Sequence, residues 1–127
     1  MMNLVDSSGW LEYLTKGQNG PLFLPIIQDT DNLLVPTIAI YEVVKRVALL
    51  LGAESALEIT GVMSAGQQVD LDRTLAIEAA RTSLQLKLSM ADSIILATAQ
   101  AYDAVLWTQD AHFKDIQGVR YIEKNPC

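Results

Sequence analysis

The sequence predicts an α/β protein with a mainly parallel β-sheet and helices on both of its faces. Short apolar runs of strand length alternate along the chain with segments of helical periodicity, which is the pattern of βαβ units. The 127 residues contain no repeat, linker or low-complexity segment. A chain of this length fits one domain, and we expect residues 1–127 to form it.

The first strand and two short helices are expected near the N-terminus. Asn3–Val5 forms a short buried strand, and a helix begins directly after it with Ser7 or Ser8 as its N-cap. A second short helix is expected in PLFLPIIQDT. Pro21 can open that helix, whereas Pro25 must lie in its first turn or break it, because proline lacks the backbone N–H.

The second strand, NLLVP, leads into the longest predicted helix. Pro36 ends the strand, Thr37 can cap the helix, and apolar residues follow helical spacing through about Leu51. Gly52 then stops the helix. Another helix is expected in AESALEITGVMSAG, although Gly61 weakens it. QQVDL is a short strand or a turn.

An amphipathic helix and a buried helix are expected before the last strands. Asp72 is the predicted N-cap of the first helix, DRTLAIEAARTSLQLKL. The second helix, ADSIILATAQAYD, is apolar almost all round, which is typical of a central, buried helix. A strand over residues 104–107 follows it, DAHF forms a turn, and VRYI is a possible last strand.

The composition excludes several classes of protein. Cys127 is the only cysteine, which excludes a disulfide framework and a cysteine-rich zinc site and fits a reducing compartment. No apolar stretch reaches the roughly 20 residues of a membrane span, and MMNLVD lacks the basic region of a secretory leader. We therefore expect a soluble, cytoplasmic protein without a membrane partner. Its net charge of −6 does not attract nucleic acid unless bound metal cations reverse the field locally.

Four acidic residues stand at related places in this pattern: Asp6, Glu42, Asp92 and Asp110. Asp6 and Asp110 each follow a predicted strand, and ligands of open α/β sheets bind beyond the carboxyl ends of the strands. Glu42 lies early in the helix after the second strand, close to the same edge. Asp92 lies in the first turn of the buried helix, whose start the sequence does not place, because another helix precedes it.

Each acid taken alone also has an ordinary structural interpretation. Asp6 can cap the first helix, Asp92 can favour the dipole of its helix, and Asp110 can cap the turn after it. Glu42 is harder to explain in this way because it stands in an apolar run, although it can face solvent. Crowded carboxylates raise one another's pKa, so a cluster of them calls for a cation, and all-oxygen ligands favour Mg²⁺ or Mn²⁺ over zinc.

Three segments stand out together: VDSSGWLEYL, VPTIAIYEVVKRV and LSMADSIILATAQAYDAVLWTQDAHF. In their order and spacing they resemble the PIN-domain family, and in particular the VapC-type toxins of bacterial toxin–antitoxin pairs. The resemblance covers nearly the whole chain and implies a three-layer α/β/α sandwich with a short, mainly parallel central sheet. It also implies a ribonuclease that depends on one or two Mg²⁺ or Mn²⁺ ions.

The catalytic site that the resemblance implies consists of four acids and the hydroxyl groups beside them. The acids are Asp6, Glu42, Asp92 and Asp110, and the hydroxyl residues are Ser7, Ser8 and Thr108. Asp6, Asp92 and Asp110 would bind metal, and the hydroxyls would hold waters or support the ligands. Many family members have a further acid two residues after the last one, where this chain has His112. The resemblance therefore implies either one metal ion or two.

Three other features have both a functional and an ordinary interpretation. Lys45 can share a helix face with Glu42, where it either contacts a phosphate of the substrate or is simply solvated. His112 is a surface histidine of a turn or, if it lies near the metal, a contact to substrate. The run VALLL, residues 47–51, favours a homodimer face or a groove for an antitoxin helix as much as an ordinary core.

Three classes of function can be compared on this basis. The leading hypothesis is a metal-dependent endoribonuclease that acts on RNA as a toxin and is held inactive by a cognate antitoxin. A non-catalytic RNA- or protein-binding module of the same fold has no reason to keep all four acids together. A phospho-acceptor signalling domain needs paired acids after the first strand, where VDSS has only one.

Overall fold

The computed structural model describes residues 1–124, and within them five strands and six α-helices. Cys127 lies outside the described residues. The strands are β1 (Asn3–Val5), β2 (Leu33–Pro36), β3 (Gln67–Val69), β4 (Val105–Thr108) and β5 (Val119–Tyr121). The helices are α1 (Ser7–Leu14), α2 (Gly20–Gln28), α3 (Thr37–Leu51), α4 (Ala53–Met63), α5 (Arg73–Leu86) and α6 (Met90–Ala101). None of these helices is both long and apolar enough to cross a membrane.

The five strands form one sheet in the order β3-β2-β1-β4-β5, and every neighbouring pair is parallel. The prediction of a parallel sheet is therefore confirmed, and QQVDL and VRYI both contribute strands. The chain builds the sheet outward from β1 to β3 and then returns to the other side of β1 with β4. The boundary between β1 and β4 is thus the switch point at which open α/β sheets bind ligands.

Apolar side chains cover both faces of the sheet, which confirms the three-layer arrangement. Successive strand residues point to opposite faces, so Leu4 and Leu34 belong to one core cluster while Val5 belongs to the other. Helices α5 and α6 supply most of the helical side chains on the first face, and α1 to α4 supply those on the second. All of residues 93–99 in α6 are buried, as the apolar composition of that helix predicts.

The helix caps agree with the sequence prediction in part. Asp72 caps α5 by accepting a hydrogen bond from the backbone of Leu75, as predicted. The prediction of Ser7 or Ser8 as the cap of α1 is wrong, since Asp6 holds that place and accepts from the backbone N–H of Gly9. The cap predicted at Thr37 is also wrong: Thr37 is already helical, and the preceding proline, which has no side-chain acceptor, occupies the N-cap.

Pro25 lies in the middle of α2, so the prediction that it must lie in the first turn or break the helix is wrong. Its missing N–H leaves the carbonyl of Pro21 without the usual bond four residues on. Both prolines are exposed, so water can satisfy that carbonyl. The remaining difference is small, since β4 covers residues 105–108 rather than 104–107. Gly52 ends α3 as predicted, with a φ of 94°.

Gly9 allows α1 to lie against the sheet at close range. A Cβ atom at this position would lie 2.6 Å from Val5 Cγ1 and 2.8 Å from Phe23 Cε1, both of which belong to fully buried side chains. We expect Gly9→Ala to lower the free energy of unfolding by about 1–3 kcal/mol, the usual cost of overpacking a core. Urea denaturation followed by circular dichroism measures this change.

Gly61→Ala is the matched control for that substitution. Gly61 also lies within a helix, but a Cβ atom there meets nothing within 4 Å. Because alanine is the better helix former, we expect a gain of about 0.5–1 kcal/mol in the control. Equal urea midpoints for the two variants would contradict the close approach of α1 to the sheet.

Candidate metal centre

The candidate site lies at the carboxyl ends of β1 and β4, on the switch point of the sheet. Val5 pairs with Trp107, and the backbone N–H of the following residue, Asp6, donates to the carbonyl of Trp107 at 3.1 Å. This register brings Asp6 beside Thr108, the last residue of β4. Asp110 follows two residues later, so both strand ends bring an acid to this edge.

Asp6 is almost fully buried, with 2% of its surface exposed, and hydrogen bonds reach both of its carboxylate oxygens. Oδ1 accepts from the Ser8 hydroxyl at 2.7 Å and from the Gly9 backbone at 3.0 Å, and Oδ2 accepts from the Thr108 hydroxyl at 2.6 Å. The pKa of Asp6 is raised from 3.8 to about 6, mainly by burial and with a smaller contribution from the charge of Asp110, against the opposing effect of the three donors. The structure thus gives Asp6 both its ordinary role as a helix cap and a place in the acidic site.

Two hydroxyl groups connect Asp6 to the backbone that follows β4. The Thr108 hydroxyl donates to Asp6 and accepts from the backbone N–H of Asp110 at 2.9 Å. The Ser8 hydroxyl likewise donates to Asp6 and accepts from the backbone N–H of Gln109 at 3.2 Å. The two side chains therefore connect the carboxylate of Asp6 to the backbone that carries Asp110, and their part in holding waters or supporting metal ligands stays a prediction.

Glu42 approaches the same edge from α3. It is half-buried, and its Oε1 accepts a hydrogen bond from the hydroxyl of Ser7 at the start of α1. The adjacent serines of α1 are therefore divided between two acids, Ser7 with Glu42 and Ser8 with Asp6.

Asp92 reaches this edge because α6 runs back along the sheet before entering β4. The turn over residues 102–104 joins the C-terminus of α6 to the start of β4, so the N-terminus of α6 lies at the opposite end, beside the carboxyl ends of the strands. Ser89 caps the helix by accepting from the backbone N–H of Asp92 at 3.3 Å. The packing of α6 on the sheet thus supplies the placement that sequence alone left undetermined.

Asp92 and Asp110 come together with His112. The Nδ1 atom of His112 lies 3.0 Å from Oδ1 of Asp110 and 3.8 Å from Oδ2 of Asp92. One ligand atom from each of the three residues lies within 4.8 Å of the other two. Asp6 and Glu42 do not belong to this group, so direct metal binding by Asp6 stays a prediction.

The carboxylates of the site act on one another electrostatically. Burial raises the pKa of Asp92, and the charges of Asp110 and Glu42 raise it further, against the hydrogen bond from Ser89 and the charge of His112. Asp110 acts on Asp6 in the same direction. Among residues 1–124, His112 alone forms ion-pair contacts with these acids. Two carboxylates and an imidazole nitrogen in an otherwise negative site are suitable ligands for a divalent cation.

Sequence reasoning did not identify the buried polar pair Asn19 and Gln109 behind the site. The amide nitrogen of Asn19 donates to the side-chain oxygen of Gln109 at 3.0 Å, and both side chains are buried. Gln109 stands between Thr108 and Asp110, so this bond holds the turn that carries the last acid. The position of Gln109 inside WTQD is the one available signal, and nothing in the sequence near Asn19 distinguishes it.

Lys45 lies outside the acidic cluster but next to it. Its ammonium group lies 5.6 Å from the centre of the Tyr41 ring, and it lines a cleft of about 230 Å³ on α3 together with Glu42. A second cleft, of about 440 Å³, is lined by Ser8, Gln109 and Asp110 among other residues. Both clefts are open to solvent and each includes a residue of the acidic site.

Comparison with known proteins supports the fold and identifies the family. The solved structures similar to this one include a toxin–antitoxin complex from Klebsiella pneumoniae, 19% identical, with a TM-score of 0.83 over 97% of this chain and 99% of that chain. A DNA-bound VapBC from Salmonella typhimurium is also 19% identical, with a TM-score of 0.75 over 97% and 98% of the two chains. VapC20 of Mycobacterium tuberculosis, described as a sarcin-ricin loop cleaving toxin, is 12% identical, with a TM-score of 0.74 over 97% and 98%.

At these levels of identity the structural likeness shows the fold alone. None of the curated protein sequences compared with the chain is similar to it. The sequence profile of the PIN domain, however, matches residues 4–119, a range that includes every acid of the site. The chain therefore belongs to the PIN domain family.

Proposed function

We propose that the protein is a metal-dependent endoribonuclease and the toxin of a toxin–antitoxin pair. The observation that carries the proposal is the convergence of Asp6, Glu42, Asp92 and Asp110 on the switch point of a PIN-family sheet. A protein that only bound RNA would be expected to place cations there, because its partner is a polyanion. The acids are instead suitable ligands for a divalent ion that also binds a phosphate of the substrate.

Asp92 and Asp110 would hold the divalent cation, Mg²⁺ or Mn²⁺, in one copy or two. When bound, the ion supplies the positive charge and Lewis acidity that phosphodiester hydrolysis requires. Asp6 fixes the Ser8 and Thr108 hydroxyls, and these hold the backbone from which Asp110 projects. Within the described residues Glu42 uses only Oε1 in a hydrogen bond, which leaves Oε2 free to orient a water molecule.

An RNA strand can reach these acids along neighbouring clefts. The cleft beside Asp110 continues into another of about 260 Å³, because Ser8, Gln109 and Lys124 line both. Arg46 lines both the cleft of about 260 Å³ and the cleft that contains Lys45 and Glu42. Positive side chains next to an acidic centre would bind phosphates on either side of the scissile bond, in spite of the net charge of −6.

The C-terminal end of α3 presents an exposed apolar surface that suits a protein partner. Leu49, Leu50 and Leu51 have 71%, 53% and 55% of their surface exposed, whereas Val47 is buried in the core. Three adjacent exposed leucines favour an apolar contact, and we assign it to the cognate antitoxin or to a second copy of the chain. A toxin of this kind acts where cellular RNA is translated, which places the protein in the cytoplasm.

Incubation of the purified protein with RNA tests the proposal directly. We expect internal cleavage of RNA that requires Mn²⁺ or Mg²⁺, leaves a 5′-phosphate and a 3′-hydroxyl, and stops on chelation with EDTA. The same preparation with denatured protein is the control for contaminating nucleases. Cleavage that continues in EDTA, or intact RNA of every class at saturating metal, would overturn the proposal.

A further inference from the structure

We propose that His112 is itself a ligand of the metal ion and gives this site a preference for first-row transition ions, such as Mn²⁺, Co²⁺ and Ni²⁺, over Mg²⁺. The inference rests on the proposed metal site and names the residue that selects the ion. His112 is the chain's only histidine. Its ring nitrogen is the one non-oxygen atom in the group of possible ligands with Asp92 and Asp110.

The distances suit coordination by all three residues. Neighbouring ligands at bond lengths of about 2.1 Å and right angles lie about 3.0 Å apart. Nδ1 of His112 lies 3.0 Å from Oδ1 of Asp110, and 3.8 Å from Oδ2 of Asp92. The Asp92 carboxylate is half-buried but lies on the same side of the ring, so a small side-chain rotation can bring it to the same ion.

The backbone that carries His112 is fixed even though its ring is exposed. The 3-10 turn Ala111–Phe113 begins at Asp110, whose Oδ1 accepts from the backbone N–H of His112 at 2.9 Å. Phe113, at the end of the turn, is fully buried in the core cluster. The imidazole ring therefore projects from a turn whose backbone is fixed. Because Nδ1 faces the acids, the Nε2 edge of the ring can face solvent.

The chemistry of the three ligand atoms explains the expected preference. Carboxylates bind Mg²⁺ and transition ions alike, whereas an imidazole nitrogen adds affinity mainly for transition ions, which rises from Mn²⁺ through Co²⁺ to Ni²⁺. Mg²⁺ prefers oxygen ligands and keeps several waters. Replacing the ring nitrogen by an oxygen ligand should therefore remove most of the discrimination between the two kinds of ion.

Calorimetric titration of the metal-free protein with Mg²⁺ and with Co²⁺ tests the inference. For His112→Ala we expect Co²⁺ affinity to fall at least tenfold. Loss of a residue that only hydrogen-bonds a metal ligand already costs about tenfold or more, and loss of a ligand itself should cost no less. Mg²⁺ affinity should change much less, and His112→Asp should bind Mg²⁺ more tightly than the natural chain. The visible absorption of bound Co²⁺ should also change in both variants, because a nitrogen ligand is lost. Gln117→Ala, a neutral change at an exposed site five residues away, is the control.

The possible results separate this inference from the proposed function. If His112→Ala loses Mg²⁺ and Co²⁺ affinity equally, or keeps both and the Co²⁺ spectrum, His112 is not the selecting ligand and only the inference fails. If the natural chain binds neither ion, the metal site fails and both proposals fall. If His112 determines ion preference but RNA stays intact, the inference stands and the ribonuclease proposal fails.

Discussion

Asp92→Asn is expected to lower RNA cleavage on the order of a thousandfold and to abolish growth arrest when the protein is expressed in bacteria. The asparagine keeps the size of the side chain but removes a charge that interacts with those of Asp110, Glu42 and His112. A catalytic metal supplies several kcal/mol of transition-state stabilisation, and each 1.36 kcal/mol lost is a tenfold loss of rate. The measurement is the rate of cleavage of one RNA at saturating Mn²⁺.

Asp31→Asn is the matched control for this substitution. Asp31 is an exposed acid in the 3-10 turn before β2, and it takes no part in the site. Both variants remove one negative charge, so a general change in attraction for RNA would affect them equally. Cleavage by Asp92→Asn within tenfold of the Asp31→Asn rate would exclude Asp92 as a metal ligand.

The free energy of unfolding of the metal-free protein is expected to fall as the pH rises from about 4 to about 6, because of Asp6. Burial raises the pKa of Asp6 to about 6 in the folded state, while in the unfolded chain it stays near 3.8. Between these values the folded protein binds a proton that the unfolded chain has released, so deprotonation favours unfolding. The stabilisation is complete below the lower pKa and lost above the higher one. A shift of this size corresponds to about 3 kcal/mol.

Asp6→Asn should lack this contribution and should be more stable than the natural chain at pH 7. Urea unfolding in EDTA at several pH values measures both chains, and the difference between their curves isolates Asp6, because Asp92 and the other acids titrate in both. Asp31→Asn is again the control and should follow the natural chain. If the curves of Asp6→Asn and the natural chain are parallel, the pKa of Asp6 is not raised in the folded protein and the prediction is wrong.

The elements that the sequence predicts well are those determined by local pattern. The strand at Asn3–Val5 and the buried helix α6 follow from apolar runs and their length, and the structure confirms both. The caps at Asp6 and Pro36 were predicted less well. Two adjacent serines are as good a local signal as the acid before them, and only the extended backbone of Asp6 decides which residue caps α1.

The sequence predicts only part of the geometry of the candidate site. Asp6 and Asp110 could be placed because each follows a strand of a parallel sheet. The position of Asp92 depends on how α5 and α6 pack, and that is determined by contacts between distant parts of the chain. The approach of His112 to two of the acids depends on one 3-10 turn, for which the short segment DAHF carries no periodic signal.

The pairing of β1 with β4 also determines when the protein can become active during its synthesis. Asp6 receives the hydroxyl of a residue 102 positions later, and Asp110 and His112 come after that residue. A nascent chain that has only its first hundred residues outside the ribosome therefore holds three of the acids but lacks Thr108, Asp110 and His112. Proteins rich in such long-range pairing also fold more slowly than those rich in local contacts. Under the proposed function, a working nuclease therefore does not exist beside its own message until residues 105–112 have left the ribosome.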